Sequence, residues 1–299
     1  MSLIEFLSEF SFRRVVLGTM LIGLCSGAMG TFLYLRRQSM MSDVIGHSAT
    51  PGVMGSFLLF STVPVLAGSQ LLAQWGIDAR SMPVITVGAL ITGLASALLA
   101  DKVAATTRIG IDATMAVMLS LFLGGGLILL QIIQRGRYKG KGGIDELMFG
   151  NAATLTNLDV RTLAVVSVVI LGVIVALWRP FTLLVFDPVL ARMSGMPRWI
   201  NGVLFVIITL GMVIGVKAVG LILMIAFAVF PPAAARQWSR TALQMVVASA
   251  LIGGASAVLG TYISISVGKV PTGPVIVLVL AATVLVSMVL SPRRSGVSA

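Results

Sequence analysis

The sequence predicts an all-α integral membrane protein, a polytopic bundle of eight or nine transmembrane helices. Three observations carry this. Hydrophobic residues make up 58% of the chain and charged residues 10%, where soluble domains carry about 25% charged residues. Mean hydropathy is +1.06. Apolar runs of about 18 residues or more recur along the whole length, and in lipid such segments must close their backbone hydrogen bonds within helices. The 299 residues leave no room for a large soluble domain, so residues 1–299 read as one transmembrane domain. The formal charge of +11 then belongs to loops at the lipid headgroups. Basic patches with interleaved aromatics are absent, which argues against nucleic acid as a partner. Cys25 is the only cysteine, so neither an internal disulfide nor a thiolate metal site is available.

In chain order, residues 1–14 carry Phe6, Leu7, Phe10 and Phe12 among Glu5, Glu9 and Arg13. They read as an interfacial segment, with no cleavable signal peptide. The bundle follows over 15–290, and 291–299 form a tail. Apolar spans lie near 15–35, 44–66, 83–100, 112–133, 160–178, 198–216, 218–235, 242–263 and 273–290. The seventh follows the sixth after Lys217 and ends in Phe230-Pro231-Pro232, so it reads either as a span or as partly re-entrant. Small residues spaced for close helix packing recur: Gly23, Gly27, Ser26 and Gly30 in the first span, Ser48, Gly52 and Ser56 in the second, Ala89, Gly93 and Ala97 in the third. Gly124-Gly125-Gly126 in the fourth weakens that helix and gives it room to bend. The longest polar stretch, Arg135 to Asp159, reads as a solvated loop. Asp187-Pro188 through Gly195 predicts a short helix between two spans, with Asp187 as N-cap, Pro188 in the first turn and Gly195 as the stop. Pro231 to Arg240 predicts a separate compact helical element with Trp238 at the interface.

One stretch carries chemistry. Met40 to Gly52 holds the only histidine, His47, and one of few carboxylates inside an apolar run, Asp43. Four residues apart, they share a helix face. Pro51 lies a further turn on and leaves the His47 carbonyl without its helical N–H. Asp43 and His47 can both ligate a divalent cation. In a soluble protein such a pair is most often only hydrogen-bonded. In a membrane helix an ionisable group costs roughly 2.5–3.5 kcal/mol to insert, which favours a functional role.

Several stretches together resemble the permease subunits of metal-type ABC importers, the family that carries zinc, manganese or iron(II). The first is Leu35-Arg36-Arg37-Gln38-Ser39-Met40 followed by Asp43-x-x-Gly46-His47-x-x-x-Pro51-Gly52-Val53, with Gly46 where the family usually has Ser. The second, Gly143 to Ala153, is similar to the phenylalanine-glycine loop of the manganese/iron-leaning branch. The others are Asp187-Pro188-x-x-Ala191-x-x-x-Gly195, Lys217 to Gly220 continuing through Pro231-Pro232-Ala233-Ala234-Ala235-Arg236, and Val270-Pro271-Thr272-Gly273-Pro274. Each alone is weak, but five in order from about residue 35 to 275 are specific.

The resemblance implies a permease in the bacterial inner (cytoplasmic) membrane. Two such subunits, identical or paralogous, would pass a metal along their shared interface. Asp43 and His47 of each would be the metal-coordinating positions, and the cargo would be manganese first, then iron(II) or zinc, with no permanently bound cofactor. Pro231, Pro232, Ala233, Arg236 and Arg240 would lie where the permease docks on a cytosolic ATPase through a short cytoplasmic coupling helix, with Asp187–Gly195 on the same side. An extracytoplasmic binding protein would deliver the metal. The chain has no phosphate-binding Gly-x-x-x-x-Gly-Lys-Ser/Thr loop, since Gly140-Lys141 and Gly268-Lys269 lack its upstream Gly and following hydroxyl. The expectation is therefore a non-enzymatic subunit powered by another chain. Charge orients it weakly: with the loop of the basic pair Arg36-Arg37 on the cytoplasmic side, Lys and Arg divide 11 inside to 10 outside. Protons should compete with metal at His47, so transport should fall as pH drops through the histidine range.

Two rival classes remain. A proton-coupled secondary carrier would use Asp43 and His47 as a relay, but the two halves show no inverted repeat. An intramembrane enzyme would need more ionisable groups than one histidine and a few carboxylates. Within transport, a permease for chelated iron would need room more than ligands.

Overall fold

The computed structural model describes residues 10–62, 82–136, 138, 157–197, 199–267 and 270–291. Among these there are eleven helices and no strand: α1 Phe10–Leu35, α2 Met41–Thr62, α3 Met82–Thr106, α4 Ile111–Arg135, α5 Asn157–Ala176, α6 Trp178–Phe186, α7 Pro188–Met193, α8 Trp199–Val219, α9 Leu221–Trp238, α10 Ala242–Val267 and α11 Thr272–Val289. Eight of them are long and apolar enough to cross a bilayer. The ninth long helix, α2, has 22 residues and carries the Asp43/His47 face instead of a uniformly apolar surface. Most of the interfacial segment 1–14, the Gly143–Ala153 loop and nearly all of the 291–299 tail lie outside the described residues.

Close approach of small residues builds the bundle. A Cβ on Gly23 would strike the backbone of Gly253, one on Gly27 would strike Ser249, and one on Gly30 would strike Ala228. So α1 runs backbone to backbone along α10 and then touches α9. Ser249 Oγ donates to the Gly27 carbonyl at 2.7 Å, and the Thr19 and Thr261 hydroxyls meet at 3.2 Å. Pro232 has no N–H for the Ala228 carbonyl one turn back, and Gly30 packs on that same carbonyl. The second tight pair is α2 with α3, where Gly52 and Gly88 each face the other's carbonyl.

The seventh span is a full helix. α9 runs without interruption through Pro231-Pro232 to Trp238, which corrects the expectation of a separate element over Pro231 to Arg240 and of a re-entrant segment. Both prolines are buried against neighbouring helices, and that packing holds the helix together where two N–H groups are missing. At Gly124-Gly125-Gly126 the helix is not interrupted, and α4 is continuous from Ile111 to Arg135. Gly126 accommodates Pro51 of α2, whose ring a Cβ there would strike. The short helix over Asp187–Gly195 forms as expected. Asp187 Oδ1 accepts the Leu190 N–H at 2.8 Å, and Gly195 stops the turn at φ +74°.

The end of the bundle where α1 and α3 finish and α8 begins is tied by a polar knot. Arg36 Nη1 donates to Asn201 Oδ1 at 2.9 Å, and Arg36 Nη2 lies 3.7 Å from Asp101 Oδ1. Asn201 Nδ2 closes the triangle on Asp101 Oδ2 at 3.2 Å. The Phe205 ring lies 5.1 Å under the guanidinium, a cation–π contact. Burial pulls the Arg36 guanidinium below its usual pKa, while the Asp101 carboxylate opposes that shift. Next to it, Arg37 takes φ +57°. The bonds Gln38 N–H to Leu33 O and Arg37 N–H to Tyr34 O make a Schellman stop to α1. Because Arg36 joins three helices through charge-assisted bonds, Arg36→Met is expected to cost about 2 kcal/mol, read as a lower unfolding midpoint of the purified permease.

Candidate functional site

The site is built on α2. Asp43 and His47 stand one turn apart, and the Asp43 carboxylate lies 3.3 Å from His47 Nε2. Both side chains are partly exposed, at 33% and 27%, while Ser42, Val44, Ile45, Gly46 and Ser48 around them are buried. The helix is therefore fixed on three sides and opens its acid–imidazole face on the fourth. Gly46 lets the Leu221 side chain lie across α2 where any Cβ would collide with it.

That open face looks into a cavity of about 1080 Å³. Its wall is largely apolar. The polar side chains on it are Asp43, His47, Thr50, Thr86, Lys217 and Thr272. Three of the five stretches singled out in the sequence meet here: Asp43 to Val53, Lys217 to Gly220, and Val270 to Pro274. They are far apart in the chain, and two structural devices bring them together. Gly220 takes φ +93°, which only glycine adopts at low cost, and folds α8 back onto α9. Its N–H closes α8 on the Val216 carbonyl and its own carbonyl opens α9 at the Met224 N–H. Pro271 starts α11 at φ −60°, and Ser264 Oγ donates to the Val270 carbonyl at 2.8 Å.

Two donor atoms 3.3 Å apart subtend roughly 100° at an ion about 2.1 Å from each, a typical metal–nitrogen or metal–oxygen distance. That angle suits tetrahedral or octahedral coordination. One chain offers only these two, for among the described residues no three His, Cys, Asp or Glu side chains cluster. A protein ligand set of four therefore needs a second source of donors.

The residues assigned to ATPase coupling fall into two groups. Pro231 and Pro232 are buried and Ala233 is half-buried inside α9, whereas Arg236 and Arg240 are exposed at its end. Trp238 donates its indole N–H to Ser287 Oγ at 2.8 Å, so it ties α9 to α11. At the same end, Phe186, Val189, Leu190 and Met193 around α7 expose 50–80% of their surface. Sequence reasoning did not single out Lys217 as a site residue. It stood there as a cation between two apolar runs, read as a boundary, and as the first residue of the Lys217 to Gly220 stretch, with no role of its own.

A family model described as "ABC 3 transport family" matches residues 9–291. The chain is 35% identical over 98% of its length to the zinc transport system membrane protein TroC of Treponema pallidum (strain Nichols), covering 93% of that protein. It is 34% identical over 94% of its length to the manganese transport system membrane protein MntC of Bacillus subtilis (strain 168), of which it spans 61%. Among solved structures it resembles PsaBC from Streptococcus pneumoniae in complex with Fab, with a TM-score of 0.77, 27% identity, and coverage of 98% of this chain and 96% of that one.

Proposed function

The chain belongs to the ABC 3 transport family, and from that premise we propose that it is the permease of an ATP-driven importer for a divalent transition metal. The cargo is manganese first, then iron(II) or zinc. Asp43 and His47 form the metal waypoint. The observation that carries this is their 3.3 Å separation on the wall of the cavity where three distant stretches converge. A second permease, identical or paralogous, pairs with this one and supplies the matching two donors, the self-complementary arrangement that two-fold assemblies favour. Two carboxylates and two imidazoles suit manganese, iron(II) and zinc, and the donor set alone does not rank them.

Energy comes from a cytosolic ATPase docked at the Arg36 end of the bundle. That subunit seats on the exposed apolar surface of α7 and on Arg236 and Arg240 at the end of α9. An extracytoplasmic metal-binding protein serves the opposite end, and the protein resides in the bacterial inner membrane. The waypoint binds strongly enough to replace hydration and weakly enough to let go.

The test is uptake of radiolabelled manganese, iron(II) and zinc into proteoliposomes, with and without the ATPase and binding-protein subunits. Uptake is expected only with ATP and partners, and the relative rates rank the metals. Uptake by this chain alone under a proton gradient would make it a secondary carrier.

A further inference from the structure

We propose that Lys217 sets how tightly the pathway holds its cargo, acting as a fixed positive charge in the same cavity as Asp43 and His47. The proposal rests on the reading of Asp43 and His47 as the metal-holding pair. Lys217 lies in the last turn of α8, and its Nζ donates to Thr86 Oγ1 of α3 at 2.5 Å. Asp159, in the first turn of α5, also attracts it. Lys217 and Thr86 line the cavity, whereas Asp159 does not. Two helices thus hold the ammonium in place while the cavity wall presents it. Among the described residues, Asp43, His47 and Lys217 are the only ionisable side chains on that wall.

An ammonium has three donors and no acceptor, so Lys217 cannot ligate a cation. It can only repel one. Asp159 offsets part of that repulsion, but it lies off the cavity wall while the ammonium is on it, so an ion between the apolar walls still meets a net unfavourable charge. A carboxylate and an imidazole from each subunit, left alone in such a cavity, would hold a transition metal long after the pathway opened inward. A like charge at the wall raises the energy of the occupied state and shortens its lifetime. The cost of keeping a lysine inside the bundle is thereby matched to a function, and its two anchors keep the charge from swinging onto Asp43 and blocking the site.

The test uses the permease–ATPase complex in nanodiscs, with manganese(II) binding read by equilibrium dialysis and ATP-driven manganese uptake read in proteoliposomes. Lys217→Met removes the charge. Lys217→Gln removes it while keeping a donor for Thr86, and carries the test if the Met variant does not fold. Both are expected to bind manganese at least tenfold more tightly and to lose several-fold in maximal uptake, with a lower KM. Lys217→Arg is expected to stay within about twofold of wild type. Unchanged or weaker binding in both neutral variants overturns the proposal and leaves the waypoint reading intact, provided Asp43→Asn abolishes binding in the same assay. If Asp43→Asn binds like wild type, the waypoint reading fails and this proposal fails with it.

Discussion

Asp43→Asn and His47→Ala are each expected to lower ATP-driven metal uptake by about a hundredfold or more. Losing even a residue that only supports a ligand typically costs 10- to 100-fold in affinity or activity, and these two are the donors themselves. In a two-fold pair each substitution removes two donors of four at once. Asn keeps the shape of Asp but presents a neutral amide, so the variant separates charge and ligation from packing. Both side chains are about a third exposed to the cavity, so their loss opens no void in the bundle, and the purified variants should keep the wild-type unfolding midpoint. The pair should act as a unit, with the double variant little worse than either single one. Uptake within twofold of wild type for either variant would remove that residue from the pathway.

Gly27→Val is expected to abolish the folded permease or to lower its stability by about 3 kcal/mol or more. The atoms a Cβ would meet are the Ser249 carbonyl and the Ala250 Cα, which are backbone and cannot rotate away. The two helices must separate, which loses the Ser249–Gly27 bond and the close packing that takes the place of a hydrophobic driving force in lipid. Overpacking a core commonly costs 1–3 kcal/mol, and a backbone clash sits at or above the upper end. Gly172→Ala in α5 is the matched control, because a Cβ there meets nothing within 4 Å. It should be neutral or slightly stabilising. The readout is the fraction of monodisperse protein in detergent and its unfolding midpoint. Equal behaviour of the two variants would show that α1 and α10 do not pack as described.

The part of the site that lies within one helix turn was legible in the sequence. Asp43 and His47 share a face because four residues make about one turn, and no other part of the chain is needed to see it. Asp187 capping its short helix is equally local. Misreadings arose where one helix meets another. Pro231-Pro232 looks like a helix end because proline lacks an N–H. In the fold α9 continues through it, since the bare Ala228 carbonyl packs on Gly30 and the helix is enclosed by its neighbours. Gly124-Gly125-Gly126 reads locally as a weak point in its helix, and what the sequence does not show is that Gly126 makes room for Thr50 and Pro51 of another helix. Arg36 looked like half of a basic loop pair, and its partners Asp101 and Asn201 lie 65 and 165 residues away.

By itself the sequence determined the class of the protein and the acid–imidazole face of α2. Both follow from composition and helical period, which act over a few residues at a time. Tertiary structure alone decided what shares the cavity with that face. Lys217, Thr86 and the Val270–Pro274 stretch reach it through the Gly220 reversal and the glycine-lined contacts between helices. Those contacts depend on which small surfaces fit together across the bundle, a pairwise property that no single helix contains.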